Sequence, residues 1–84
     1  MTTFTNAETI TDDQIAGLAR ESGEAGDHAM IAICDIALGG DPRPEVCRYI
    51  SRYDKDRIDA KFATVEAARA ECARVIADAE AQRD

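Results

Sequence analysis

The sequence predicts an all-α domain, a small bundle of about four helices over roughly residues 11–22, 27–38, 44–53 and 56–82 behind a loose N-terminal arm. Three observations carry this expectation. Ala, Glu and Arg are abundant, and these residues favour helix. Apolar residues recur every three to four positions. No run bounded by turn residues alternates with the period of a strand, and with no Trp and few aromatic residues the composition argues against a sandwich or barrel. The 84 residues leave room for one domain, spanning 1–84. Hydrophobic residues make up 45% of the chain, but 16 of them are Ala and only 17 are large, purely apolar side chains. The core must therefore be thin, and close helix packing or self-association has to supplement it.

Residues 1–9 are Thr-rich and aperiodic, a frayed arm with Phe4 as its expected anchor. Thr11 and Gln14 are spaced as a capping box, Ile10 and Ile15 as the hydrophobic staple around it, and Asp12 with Asp13 suit the positive end of the helix dipole. Ile15, Leu18 and Ala19 form the apolar stripe, and Gly23 is the expected stop. Asp27 caps a second helix, in which Met30, Ile31, Ile33, Cys34, Ile36, Ala37 and Leu38 cover most of the circumference. Such a helix belongs at the centre of a bundle, and Asp35 must find solvent or a partner. Gly39 and Gly40 end it, and Asp41, Pro42, Arg43 and Pro44 force an extended turn. Pro44 suits the first position of a short third helix through Tyr53, burying Val46, Cys47 and Ile50. In the last helix Ile58, Phe62, Val65, Ala68, Cys72, Val75, Ile76 and Ala79 keep the helical spacing. Thr64 offers an alternative cap for a separate terminal helix, with a break near 62–65.

The net charge of −7 is unevenly spread. Residues 1–42 hold eight acids against one base, Arg20, whereas residues 43–84 hold nine of each sign. An acidic half repels nucleic-acid phosphates and attracts a basic groove on another protein, and it also keeps a small Ala-rich domain dispersed. No apolar run approaches a membrane span and no basic-then-apolar leader opens the chain, so the expected address is the cytoplasm. Cys34, Cys47 and Cys72 form an odd, widely spaced set and read as reduced thiols at helix-facing positions. A bridge between Cys34 and Cys72 would need their two helices to meet.

Catalytic signatures are weak. His28 is the single histidine, six positions from Cys34, so the two point to different faces of one helix and form no local dyad. A zinc site from His28 and the three cysteines lacks close ligand spacing, Gly39 and Gly40 lack the Lys that follows a phosphate loop, and adjacent acids such as Asp12 and Asp13 diverge on a helix. No enzymatic activity, cofactor or metal is expected. The more informative set is Arg48, Tyr49, Arg52 and Tyr53, which share a helix face at i, i+4 spacing if the third helix forms, with Lys55 and Arg57 beyond. Arg and Tyr are enriched where proteins grip partners. The same residues have a second reading, in which a tyrosine completes the core and the arginines pair with Glu45 and Asp56.

Two segments, Glu24 to Gly40 and Ala70 to Glu80, resemble small helical proteins of phage and mobile-element type in GC-rich bacteria, over about a third of the chain. In that pattern a first helix precedes a Gly-Asp turn and a Cys-Asp helix end, and a Cys-containing helix closes the chain. Residues 43–66, with the Arg/Tyr cluster, sit as an insertion, and no chemistry transfers. The opening Met1 to Thr5 is also similar to the start of a small acidic anti-CRISPR protein. The resemblance implies a short inhibitor without catalytic residues that occupies the basic nucleic-acid-binding surface of a host complex. Its expected contacts are Asp12, Asp13, Glu21, Glu24 and Asp27 for encounter and Arg48, Tyr49, Arg52 and Tyr53 as anchor. Direct binding to nucleic acid or membrane is not expected. A self-associating helical homodimer with a structural or regulatory role is the rival expectation.

Overall fold

The computed structural model describes residues 4–40 and 48–83. Among the described residues are four α-helices and no strand: α1 at Asp12–Ala25, α2 at His28–Ala37, α3 at Arg52–Lys61 and α4 at Val65–Arg83. The all-α bundle follows from the caps and stripes read above, with corrections at three boundaries and in the arm.

The Thr11 hydroxyl accepts the Gln14 N–H at 3.2 Å, and the Gln14 side-chain oxygen accepts the Thr11 N–H at 2.8 Å, completing the capping box. Ile10 and Ile15 are both buried. α1 runs past the expected stop at Gly23 to Ala25. Gly26 takes the left-handed position instead, at φ 76°, its N–H returning to Gly23 O while Asp27 N–H returns to Ser22 O at 2.8 Å. This Schellman arrangement needs glycine only at the residue of positive φ, and a helical Gly23 costs about 1 kcal/mol relative to Ala. Asp27 then caps α2 by accepting the Met30 N–H at 3.2 Å.

α2 is the centre of the bundle. Met30, Ala32, Ile33, Cys34 and Ala37 are buried, and the helix packs mainly against α1 and α4 and more lightly against α3. It ends at Ala37, with Gly39 at φ 89°.

The expected third helix over 44–53 is not what forms. Residues 44–47 lie outside the described residues, Arg48 to Ile50 make a turn, and the helix begins at Arg52. Ser51 is extended and its hydroxyl accepts the Asp54 N–H at 3.1 Å, so it caps α3 and stops helix from running through it. The expected single helix over 56–82 is likewise divided. Phe62 ends α3, and the Thr64 hydroxyl accepts the Ala67 N–H at 3.2 Å at the start of α4, the alternative break that Thr64 signalled. In the arm, Phe4 is exposed and is not the anchor. Thr5 is: its N–H donates to the Glu80 carboxylate at 3.1 Å and its hydroxyl accepts from Gln14 Nε2 at 3.2 Å.

The core joins Ile10, Ile15 and Leu18 to the α2 residues, to Ile58, and to Ala68, Cys72 and Ala73 of α4. Above this seam lies Arg69. Its guanidinium donates to Ile10 O at 2.9 Å, to Asp12 Oδ1 at 2.9 Å and to Ala37 O at 3.4 Å. One side chain of α4 thereby holds the entry to α1 and the carboxyl end of α2.

Two results are expected in urea denaturation. Arg69→Met leaves two partly buried carbonyls unpaired and lowers stability by about 1–3 kcal/mol, whereas Asp12→Asn, at a largely exposed carboxylate, costs under about 1 kcal/mol. At the α1 end, a Cβ on Gly23 meets only Ile31 Cδ1 at an ordinary 3.8 Å. Gly23→Ala should therefore raise the midpoint, while Gly26→Ala, at positive φ, lowers stability by about 1 kcal/mol.

Candidate protein-interaction surface

α1 sorts its side chains by the helical repeat. Ile15, Leu18 and Ser22 face the core, which directs Asp13, Arg20 and Glu24 to the opposite, solvent side. Glu21 stands on the flank nearer α4, at the edge of a shallow groove formed with Leu18, Val75, Ile76 and Ala79. Asp13, Glu21 and Glu24 are exposed and have no ion pair among the described residues. Arg20 lies between Asp13 and Glu24 and offsets part of their field.

The other two acidic site residues have structural duties. Asp12 is held by Arg69, and the Asp27 carboxylate receives the Met30 N–H. Asp12 supplies the one ion pair among the described residues that joins the acidic half to the second, charge-balanced half. The remaining pairs are local to the second half: Lys55 with Asp59, Arg57 with Asp54, and Arg74 with both Glu71 and Asp78. The basic residues thus leave most of the α1 acids unneutralised. Asp35, which required solvent or a partner, is half-buried, and its Oδ2 is enclosed without a hydrogen-bond partner among the described residues.

The Arg/Tyr cluster is not arranged as the spacing predicted. Arg48 and Tyr49 belong to the turn, Arg52 and Tyr53 to the first turn of α3, so no common helix face unites the four. Neither tyrosine completes the core: Tyr49 is 69% exposed and Tyr53 78%. Arg48 and Arg52 are also exposed, and neither has an ion pair among the described residues, so the pairing of Arg52 with Asp56 does not occur. Glu45 lies outside the described residues.

The contact that sequence reasoning missed is His28 on Tyr49, with ring centroids 4.8 Å apart and planes at 28°. The stack places the Arg48–Tyr49 turn beside the start of α2, next to Asp27 in the chain. An exposed tyrosine held by a ring of a packed helix presents a flat face with little rotamer freedom left to lose on binding.

Cys34 and Cys72 come together as unbonded thiols, their sulfurs 3.9 Å apart and both fully buried. Cys34 is held well above the ordinary thiol range, first by its hydrogen bond to Cys72 and then by burial. Cys47 lies outside the described residues. Among the described residues no group of three or more His, Cys, Asp or Glu could hold a metal ion, and no helix is long and apolar enough to cross a membrane.

A double-mutant cycle between His28→Ala and Tyr49→Ala, read by thermal or urea unfolding, is expected to return a coupling of about 0.5–1 kcal/mol. The same cycle between His28→Ala and Tyr53→Ala should return none. Compared with known protein families, curated proteins and solved structures, the chain matches none of them.

Proposed function

We propose that the protein is a non-enzymatic interaction module of phage or mobile-element type, an anti-CRISPR-like inhibitor whose acidic first helix occupies a basic nucleic-acid-binding surface of a host complex. The observation that carries this reading is the set Asp13, Glu21 and Glu24, exposed on one helix and unpaired among the described residues. Carboxylates in that state create a field that reaches about a Debye length into solution and steers a cationic partner toward α1. They also repel free nucleic acid, so the module competes for the protein surface that nucleic acid uses. The exposed Tyr49, Tyr53, Arg48 and Arg52 supply the flat, donor-rich contacts that slow dissociation once the surfaces meet.

The test is capture of a partner from host lysate on the immobilised chain, followed by competition and kinetics. Nucleic acid that the partner binds should displace the chain. Replacing Asp13, Glu21 and Glu24 together by Lys should cut the association rate at low salt by about tenfold or more, with the difference shrinking as salt rises. A partner that holds nucleic acid and the chain together, or an association rate unchanged by the triple reversal, overturns the reading. Sedimentation as a stable dimer that buries α1 would replace it with the self-association role.

A further inference from the structure

The interaction surface makes no use of the paired thiols. Cys34 on α2 and Cys72 on α4 are each 0% exposed and touch sulfur to sulfur at 3.9 Å where the two helices pack. A disulfide requires about 2 Å of further approach, within the reach of side-chain rotation and a small helix shift. We propose that Cys34 and Cys72 form an oxidisable dithiol site, which a small-molecule disulfide of the glutathione type converts into an intrachain disulfide joining α2 to α4.

The chemistry proceeds by two exchanges. When α4 lifts from the core, the Cys72 thiolate attacks one sulfur of the small disulfide. That S–S bond breaks, a mixed disulfide forms on Cys72, and the departing thiolate takes up the proton that Cys72 released. As α4 closes, the bulky adduct cannot enter the seam beside Ala68 and Ala73. The Cys34 thiolate then attacks the Cys72 sulfur, expelling the second small thiolate, which takes the proton from Cys34. The two protein thiols are oxidised by two electrons, and the small disulfide is reduced to two thiols. The helix that opens is α4, which packs mainly on α2 and only lightly on α1 and gives up its Arg69 hydrogen bonds as it lifts, whereas central α2 would have to leave α1 and α4 together. Burial shields the reduced pair, so the oxidation rate follows the opening of α4 and levels off at high oxidant concentration.

The product is a staple across the segment that contains α3. It removes chain entropy from the unfolded state and so raises the melting temperature by on the order of 10 °C, reversibly with reductant. The full-length chain is incubated natively with oxidised glutathione, its remaining thiols are alkylated, and the products are mapped by mass spectrometry and melted. The expected result is a monomer lighter by two hydrogens, with Cys34 linked to Cys72 and a raised melting temperature, and the same outcome in Cys47→Ser. Cys34 and Cys72 still open to alkylation after denaturation, a link that engages Cys47, or an oxidised chain that melts no higher than the reduced one would each overturn the proposal. None of these outcomes depends on whether α1 binds a basic partner.

Discussion

The Arg69 guanidinium is the constraint on which the arrangement of helices rests. At the seam between α2 and α4, Cys34 meets Cys72, and Ala37, Ala68 and Ala73 on the same two helices are buried and small. Small side chains let two helices approach closely, but each removes little apolar area from water, and a smooth seam does not by itself specify how far one helix slides along the other. Arg69 supplies the missing specification. Its donors meet two carbonyls and a carboxylate from segments far apart in the chain, and those acceptors coincide only in one register. The Ala37 carbonyl also lies at the negative end of the α2 dipole, where a cation is favoured.

That tie decides how the acidic charge is apportioned. A net charge of −7 describes the chain as a whole, yet individual carboxylates have separate fates. Asp12 answers Arg69 and Asp27 starts α2, so both serve the fold. In the second half, Arg74 sits between Glu71 and Asp78, and Lys55 and Arg57 meet acids three or four residues away on their own helix. Such pairs contribute only about 0.3–0.5 kcal/mol each, and the far field of that half is small because its acids and bases are equal in number. What remains visible at a distance is carried largely by the first half, to which Asp13, Glu21 and Glu24 of α1 contribute.

Much of this was legible in the residues themselves, because caps are local. Thr11 with Gln14, Asp27 before Met30, and Thr64 before Ala67 each announce a helix start through a hydrogen bond to the N–H three residues on. The errors came from two local signals in competition. Gly23 and Gly26 both qualify as stops, and the choice fell to the one followed by a cap for the next helix. Pro44 and Ser51 both qualify as starts, and Ser51 with Asp54 three positions later carried a signal at least as good. The α1 acids were readable as a surface because the apolar stripe fixes which side faces water. By contrast, neither the His28–Tyr49 stack nor the reach of Arg69 can be found by periodicity, since each joins residues more than twenty positions apart.

The placement of the two tyrosines has an optical consequence. The chain has no Trp, and both Tyr49 and Tyr53 stand outside the hydrophobic interior. The near-ultraviolet absorption and emission of Tyr53 are therefore nearly blind to loosening of the helical interior, those of Tyr49 report its stack on His28, and both are sensitive to whatever covers that side of the molecule. Far-ultraviolet dichroism follows the helices alone. The wild-type protein thus carries two spectroscopic channels, one for helix content and one for the tyrosine face, without any added label.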